Sequence, residues 1–423
     1  MNHFEYINGI LHAENVAVPD IAKAVGTPFY CYSTATLERH YKVFSGAFSG
    51  ISSLVCYAMK ANSNQAVLAT LAKLGSGADV VSAGELARAL KAGIPAQKIV
   101  FSGVGKKDDE LDAALEAGIL CFNIESVPEL HALSARAVAL GKTANVSFRI
   151  NPDVDAKTHA KISTGKKEDK FGVPWDQAEK IYALAASLPG IKVTGIDMHI
   201  GSQIIDLEPF DDAFSRLEGL VRRLRNEGHD ISHVDLGGGL GIPYKSDNTP
   251  PPSPEAYAAI VSKHVRALDC QVIFEPGRLL VGNAGILVGE VIFRKETSEK
   301  TFLIADTAMN DLIRPTLYDA WHDIKPVVQP APDTHWSTCD IVGPVCESGD
   351  YMARDRNLPH MERGDLFAIF AAGAYGAVQA GTYNTRALVP EVLVKDKEFH
   401  IVRPRMSSEE IIALDRLPNW LTT

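Results

Sequence analysis

Short apolar runs alternate with longer amphipathic stretches between residues 54 and 276. Each run has the length of a buried strand, and each stretch that follows repeats its apolar residues at helical spacing. The predicted strands span residues 54–59, 78–82, 99–103, 119–123, 145–150, 193–199, 233–237 and 272–276. Strands that alternate with helices over roughly 250 residues favour a parallel (β/α)8 TIM barrel over an open doubly wound sheet.

The pattern changes after Arg278. Strand-like runs at 286–293, 301–306, 392–395 and 398–402 are joined by long irregular connections with few helices. This pattern predicts a mostly β C-terminal domain, which the strand-like pieces near the N-terminus are expected to join. The expected domains are therefore a barrel over 28–280 and a β-rich domain made of 1–27 and 281–423.

Charge and hydropathy narrow the classes of partner. The chain has 423 residues and a formal net charge of −10, without a basic stripe that could meet the phosphates of nucleic acid or of an anionic membrane. The first residues lack the basic and apolar regions of a signal peptide, and no apolar run approaches bilayer length. We expect a cytoplasmic protein that acts on a small molecule and binds neither nucleic acid nor membrane.

Lys60 lies at the C-terminal end of the first predicted strand, in the stretch Tyr57-Ala58-Met59-Lys60-Ala61-Asn62. A lysine there is costly to desolvate, so it must gain a partner, lose its proton or become covalently modified. A neutral lysine amine is the nucleophile that Schiff-base chemistry on a carbonyl cofactor requires. The alternative is a structural lysine that extends its ammonium to solvent, and Lys60 alone does not decide between the two.

The other candidate residues also follow predicted strands. They are Ser82 with Glu85, Arg149 with Asn151, His199 with Ser202, the run Gly237-Gly238-Gly239, and Glu275 with Arg278. All fall at C-terminal strand ends, the face on which TIM barrels build their active sites. The long polar connection from Asn151 to Trp175, which contains several lysines, is interpreted as an active-site lid.

The glycine run and Glu275 suggest complementary chemistry. Glycines let backbone N–H groups approach an anion, and barrels favour phosphate sites after their seventh and eighth strands. A dinucleotide fingerprint is a poorer match, because the spacing is not G-x-G-x-x-G. Glu275 could bind a metal, form a structural ion pair or keep a pyridine nitrogen protonated. No further cluster of carboxylates and histidines is evident in the sequence, so no metal is expected.

The six cysteines contain no C-x-x-C pair and suggest neither a zinc site nor a redox pair. Cys31, Cys56 and Cys121 lie in apolar runs and are predicted to be inert core residues. Cys346 differs, because its neighbours in Gly343-Pro344-Val345-Cys346-Glu347-Ser348-Gly349-Asp350 are polar or turn-forming.

Together these motifs resemble a known enzyme family. Lys60 in its stretch, Val81-Ser82-Ala83-Gly84-Glu85, His199-Ile200-Gly201-Ser202-Gln203, the glycine run and Glu275-Pro276-Gly277-Arg278 are similar to the alanine-racemase-like, fold type III family of pyridoxal-phosphate-dependent decarboxylases. The Cys346 stretch, Gly373-Ala374-Tyr375-Gly376 and the segment from Trp321 to Val327 resemble the members that act on diaminopimelate. The similarity extends from about Thr27 to Pro404.

The resemblance implies a role for each matching residue. Lys60 would hold pyridoxal 5'-phosphate through a Schiff base, His199 would stack on its ring, Glu275 would pair with the ring nitrogen, and Cys346 would donate a proton. The implied cofactor-binding residues are Lys60, Asp79, His199, Ser202, Gly239, Glu275, Pro276, Gly277, Arg278 and Tyr375, and the implied substrate-binding residues are Arg278, Arg314, Tyr318, Glu347 and Tyr375. In such enzymes the Cys346-Glu347 loop comes from the partner subunit of a homodimer.

The resemblance implies decarboxylation of meso-2,6-diaminopimelate to L-lysine and CO2. Alternatives are a decarboxylase of the same fold acting on ornithine, arginine or carboxynorspermidine, and a non-catalytic pyridoxal-phosphate-binding protein. Members that act on ornithine usually carry Asp after the cysteine, whereas this chain has Glu347, which favours diaminopimelate. Lys60 and Cys346 are both present, which argues against a non-catalytic relative.

Overall fold

The computed structural model describes residues 2–155, 170–245 and 250–421. The chain folds into two compact units. One unit, here called the barrel unit, contains residues 38–243 and 249–280. The other, the β unit, contains residues 1–37, 244–248 and 281–423.

The barrel unit is a closed ring of eight parallel strands. In chain order the strands are Ser53–Ala58, Gly77–Val80, Ile99–Phe101, Cys121–Ile124, Ala144–Asn151, Ile191–Asp197, His233–Asp235 and Gln271–Phe274. Neighbours in sequence pair with each other, and the eighth strand pairs with the first, which closes the barrel. A short ninth segment, Val173–Pro174, pairs with the end of the fifth strand. The predicted TIM barrel is confirmed.

Helices follow the barrel strands as the apolar periodicity predicts. They are Gln65–Lys73, Ala83–Lys91, Asp108–Ala117, Val127–Ala139, Ala178–Ser187, Glu208–Asn226, Pro254–Val265 and the short Arg278–Val281, and Thr34–Gly46 precedes the first strand. Several begin at serine or asparagine caps, such as Ser82, whose hydroxyl accepts from the Glu85 N–H. Within the described residues, no helix combines the length and apolar character needed to cross a bilayer.

The β unit consists mainly of antiparallel strands. The strands are Phe4–Ile7, Ile10–Ala13, Val16–Ala17, Phe29–Ser33, Gly285–Glu296, Thr301–Ala305, Ile324–Pro326, Trp336–Val342, Tyr351–Pro359, Leu366–Ile369, Glu391–Lys395 and Glu398–Arg403, and the helices are Val18–Val25, Arg314–Tyr318 and Ser408–Ile412. The N-terminal strands share one apolar core with residues such as Ile286 and Val392. The expected β-rich domain, with the N-terminal segment joined to it, is therefore present.

The sequence analysis begins the barrel at residue 28, and the structure divides the chain later, after Leu37. The reason is the strand Phe29–Ser33, which pairs with Gly285–Val288 on one side and with Glu391–Val394 on the other. All of its residues are buried. Of the connection interpreted as a lid, residues 156–169 lie outside the described residues.

Candidate active site

Lys60 and Asp79 form an ion pair at the C-terminal end of the barrel. Lys60 sits in a single turn, Met59–Ala61, directly after the first strand, and Asp79 lies on the second strand. The Lys60 Nζ lies 2.7 Å from Asp79 Oδ2. The Asp79 side chain is fully buried, whereas the Lys60 side chain is 41% exposed. The strand end therefore presents an accessible amine whose positive charge is paired with the buried Asp79 carboxylate.

Glu275 follows the eighth strand and is held by two polar side chains from the ends of the third and fourth strands. Its Oε1 accepts hydrogen bonds from Asn123 Nδ2 at 3.3 Å and from Ser102 Oγ at 3.4 Å. Asn123 also donates to Ser102 Oγ and accepts from Ser147, so the three polar groups orient one another. Burial, followed by repulsion from Asp235, raises the pKa of Glu275 well above its usual value. Burial therefore favours the protonated form of this carboxyl group.

The strand ends bring three buried carboxylates together. Oxygen atoms of Asp197, Asp235 and Glu275 lie within 4.8 Å of one another. Burial raises the pKa of Asp235 to about 6 and that of Asp197 well above its usual value. The sequence analysis did not find this cluster, because each aspartate is the last residue of its own strand and no local motif links them. The raised pKa values of the three carboxyl groups favour their protonated forms, which would lower the negative charge of the cluster without a cation.

The glycine loop after the seventh strand orients His199. The Gly238 N–H donates to His199 Nδ1 at 3.2 Å, so this nitrogen acts as an acceptor and the ring is held in one tautomer. Burial lowers the pKa of His199 well below its usual value, and the positive charge of Arg149 acts in the same direction. His199 is therefore a neutral, fixed ring at the end of the sixth strand.

The same loop forms a crowded cradle in which only glycine fits. Gly239 has a φ of +104°, and a Cβ there would lie 2.5 Å from the Gly201 carbonyl oxygen. Ser202, one residue further along, accepts a hydrogen bond of 3.1 Å from Arg278 Nη2. Arg278 is only 6% exposed. The glycine cradle, the Ser202 hydroxyl and the Arg278 guanidinium thus come from three neighbouring strand ends, and the hydroxyl and the guanidinium are suitable donors for a phosphate.

Gln203 ties two of these loops together, a role that the sequence analysis missed. Its side-chain amide donates to the Ile242 carbonyl at 2.7 Å and accepts from the Ile242 N–H at 3.2 Å. Ile204 adds a backbone hydrogen bond of 2.9 Å to the Gly239 carbonyl. Gln203 has a φ of +59°, unusual for a residue with a side chain, and this could not be recognised from its position in the motif.

Arg149, another strand-end residue, is buried in an ion pair. Its Nη1 lies 3.2 Å from Glu125 Oε1, and its guanidinium lies 4.7 Å from the centre of the Phe171 ring. Glu125 Oε2 also accepts from the Gly172 N–H at 2.9 Å. These contacts secure the start and the end of the connection that follows the fifth strand. Within the described residues, Arg149 is therefore a structural residue of this rim.

The Pro276-Gly277 pair packs against the first strand. The Pro276 carbonyl accepts from the Ala58 N–H at 3.2 Å. A Cβ on Gly277 would lie 3.1 Å from the Ala61 Cβ, so this position tolerates only the smallest residue without adjustment. The pair therefore fixes the turn between Glu275 and Arg278.

The β unit holds the remaining candidates. Arg314 begins the helix Arg314–Tyr318, which also contains Tyr318, and is 6% exposed. Tyr375 has a φ of +56° and lies between two glycines whose Cβ atoms would collide with their surroundings. A Cβ on Gly373 would lie 2.0 Å from the Val281 carbonyl oxygen, and one on Gly376 would lie 2.6 Å from the Tyr30 hydroxyl. Tyr375 is thus presented on a tightly constrained turn.

The Cys346-Glu347 loop is exposed and shaped from within by Asp350. Asp350 accepts backbone hydrogen bonds of 2.6 Å from Val345 and from Met309. The Cys346 N–H donates to Asn384 Oδ1 at 3.2 Å. The side chains of Cys346 and Glu347 are both exposed, in contrast to Cys31, Cys56 and Cys121, which are buried as predicted.

Comparison with known proteins places this geometry in a family. Residues 34–282 match the family model described as the pyridoxal-binding domain of pyridoxal-dependent decarboxylases. A diaminopimelate decarboxylase from Zymomonas mobilis is 49% identical over 421 residues, covering 99% of both chains. The chain belongs to the diaminopimelate decarboxylase family of pyridoxal-dependent decarboxylases.

Solved structures of diaminopimelate decarboxylases share the whole fold. The enzyme from M. jannaschii, in complex with L-lysine, superposes with a TM-score of 0.94 at 39% identity and full coverage of both chains. The enzyme from Helicobacter pylori, also in complex with L-lysine, gives a TM-score of 0.90 at 41% identity, covering 94% of this chain and 98% of that one. The resemblance recognised in the sequence motifs is confirmed.

Within this decarboxylase fold, six of the expected cofactor-binding residues make direct contacts at the strand ends of the barrel unit. Lys60 meets Asp79, Ser202 meets Arg278, and the glycine loop meets His199 and, through its backbone, Glu275. The expected residues of the β unit, Arg314, Tyr318, Cys346, Glu347 and Tyr375, lie on separate segments of that unit.

Proposed function

We propose that this chain decarboxylates meso-2,6-diaminopimelate to L-lysine and CO2, using pyridoxal 5'-phosphate. The observation that carries the proposal is the end-to-end similarity to diaminopimelate decarboxylases, which covers 99% of the chain and is not confined to the cofactor-binding half. The donor set of the barrel agrees with this cofactor, because it combines an accessible lysine amine, a buried carboxyl group and a crowded glycine cradle beside Ser202 and Arg278.

When bound, pyridoxal phosphate supplies an aldehyde that reacts with amines and a protonated ring that delocalises the electron pair left by departing CO2. Lys60 would provide the amine that holds the cofactor. Glu275 would pair with its ring nitrogen, and the raised pKa of this carboxyl group suits the sharing of a proton. His199 would stack on its ring and exclude water, and the lowered pKa of His199 favours a neutral imidazole there.

Residues of the β unit act on the substrate. Cys346 donates the proton that replaces the lost carboxylate, because a thiol can do so near neutral pH. Glu347 binds the ammonium at the far end of the substrate. Arg314, together with Arg278 of the barrel unit, binds the carboxylate at the same far, unreacted end, for which a guanidinium offers bidentate geometry. Tyr318 and Tyr375 complete the substrate-binding residues, and Tyr375 also contributes to cofactor binding.

The test is CO2 release by the purified protein with pyridoxal phosphate, offered meso-diaminopimelate, ornithine and arginine separately. Turnover of diaminopimelate alone, with L-lysine as product, supports the proposal. Preference for ornithine or arginine would overturn the assignment of Glu347 while leaving the role of Lys60 intact. A Lys60→Ala variant should remain folded, lose activity and lose the absorbance of covalently bound cofactor.

The proposal includes a cytoplasmic homodimer in which the Cys346-Glu347 loop completes the site of the partner subunit. This part is tested by mixing two inactive variants, Lys60→Ala and Cys346→Ala, under conditions that allow subunit exchange. Random exchange gives heterodimers with one intact site, so about a quarter of the wild-type activity should return if sites are shared between subunits. No recovery despite exchange would show that each subunit supplies its own thiol.

A further inference from the structure

Tyr244 holds the guanidinium of Arg314 in two ways. Arg314 Nη1 donates a hydrogen bond of 2.6 Å to the Tyr244 hydroxyl, and the Arg314 guanidinium carbon lies 4.8 Å from the centre of the Tyr244 ring. Arg314 is only 6% exposed, so its charge depends on such partners rather than on water. Hydroxyl and ring together restrict the orientation of the guanidinium.

Tyr244 is itself held by His322, which belongs to the segment from Trp321 to Val327. The proposed function gives no role to this segment. His322 is fully buried and packs edge-to-face on Tyr244, with ring centres 5.1 Å apart and planes at 81°. His322 Nδ1 lies 2.8 Å from the Phe370 carbonyl oxygen and must donate, because a carbonyl only accepts. The adjacent residues Lys245 and Trp321 form a cation–π contact, with Lys245 Nζ 4.6 Å from the centre of the Trp321 ring.

We propose that Tyr244 is a positioning residue that orients Arg314 for the carboxylate at the unreacted end of the substrate. The inference rests on the proposed function, in which Arg314 binds that carboxylate. With one N–H group engaged by the hydroxyl, the remaining donors of the guanidinium have a restricted direction. Carboxylate binding then loses less side-chain entropy and gains bidentate geometry.

The test compares two ligands of the holoenzyme that differ in one carboxylate. L-Lysine retains the carboxylate of the unreacted end, and cadaverine is the same diamine without it. Dissociation constants from calorimetry should rise about tenfold for L-lysine in Tyr244→Phe, the effect of losing a hydrogen bond to a charged group. The constant for cadaverine should stay within about twofold of wild type. In turnover, KM for diaminopimelate should rise while kcat is largely kept.

A matched control removes a hydroxyl near the same helix. The Tyr351 hydroxyl lies 3.2 Å from the Pro315 carbonyl oxygen and 3.1 Å from Asp319 Oδ1. Neither of these two partners is Arg314. Tyr351→Phe should therefore leave both dissociation constants unchanged. A Tyr244→Leu variant, which also loses the ring, should weaken L-lysine binding further than Tyr244→Phe does.

Double variants separate positioning from a general loss of structure. If Tyr244 acts through Arg314, adding Tyr244→Phe to Arg314→Ala should weaken L-lysine binding no further. Equal weakening of L-lysine and cadaverine by Tyr244→Phe, or additive effects in the double variant, would overturn the inference. An unchanged L-lysine affinity in Arg314→Ala would overturn it together with the proposed role of Arg314. Failure of wild type to convert diaminopimelate would instead overturn the proposed function.

Discussion

Replacing Asp235 by Asn should stabilise the cofactor-free protein at neutral pH and not in acid. Asp235 is fully buried at the end of the seventh strand, beside Asp197 and Glu275. Its Oδ1 accepts a hydrogen bond of 2.9 Å from the Gly237 N–H, which an asparagine oxygen can also accept. Its Oδ2 has no hydrogen-bond partner among the described residues. The substitution therefore removes a charge that lacks full compensation and can keep the loop geometry.

The magnitude follows from the pKa of the folded state. Burial raises the pKa of Asp235 from an ordinary 3.8 to about 6. Because the folded pKa lies above the unfolded one, the folded protein binds more protons across this interval. The associated stability is fully present below the unfolded pKa and is lost as pH rises through the folded pKa. At about 1.4 kcal/mol for each pKa unit, ionisation of Asp235 costs about 3 kcal/mol at neutral pH.

The assay is thermal unfolding of wild type and Asp235→Asn, stripped of cofactor, at several pH values from about 4.5 to about 7.5. Across this range the advantage of the variant should grow by about 2 kcal/mol, or about 4–8 °C for a unit of this size. Asp112→Asn is a control without this pH trend, because the hydrogen bond from Arg136 lowers the pKa of Asp112, and the resulting loss of stability should change little above about pH 4.5. An advantage of Asp235→Asn that stays constant with pH, or that is larger in acid, would refute the reasoning.

Three further predictions concern single side chains. Gly239→Ala should reduce retention of pyridoxal phosphate at least about tenfold in dialysis followed by absorbance, because its Cβ would lie 2.5 Å from the Gly201 carbonyl oxygen. The control Gly105→Ala, whose Cβ would lie in open space, should retain the cofactor like wild type. Lys106→Met should lower the free energy of unfolding by about 3–5 kcal/mol in urea titrations, because it leaves the buried Glu129 carboxylate without its ion-pair partner. An equal loss in the control Lys42→Met, which removes an exposed ion pair, would contradict this. Cys346→Ala should keep its melting temperature, since the side chain is exposed, while losing turnover, and full activity would remove its role as proton donor.

The sequence predicts the barrel strands well because their residues are buried on both faces. Runs such as Leu54–Ala58 are continuous and apolar, so both their length and their positions are visible locally. The strand Tyr351–Pro359 was not predicted, because it lies at the edge of its sheet and the charged run Arg354-Asp355-Arg356 interrupts its apolar residues. Its identity depends on pairing with Trp336–Val342, which is a tertiary contact.

The residues named for the candidate site were found because they belong to compact motifs with family resemblance. Gln203 lies inside such a motif, yet its link to Ile242 depends on two loops that meet only in the fold. Asp197 and Asp235 are single residues at strand ends, separated by a helix, and only the parallel pairing of the sixth, seventh and eighth strands brings them beside Glu275. The sequence analysis places Phe29–Ser33 in the barrel for a similar reason, because the partners of this strand, residues 285–288 and 391–394, are distant in sequence.

The glycine run has a structural cause that is independent of any anion. The Gly237 carbonyl accepts from the Glu275 N–H at 2.7 Å, Gly238 donates to His199, and Gly239 accepts from Ile204. A Cβ on Gly237 would lie 2.6 Å from His199 Nδ1. A Cβ on Gly238 would lie 2.3 Å from the Glu275 carbonyl oxygen. Contact with the sixth and eighth strands alone therefore requires all three glycines. The run is weaker evidence for a phosphate than it looks in the sequence, and the stronger evidence is the convergence of Ser202 and Arg278 beside it.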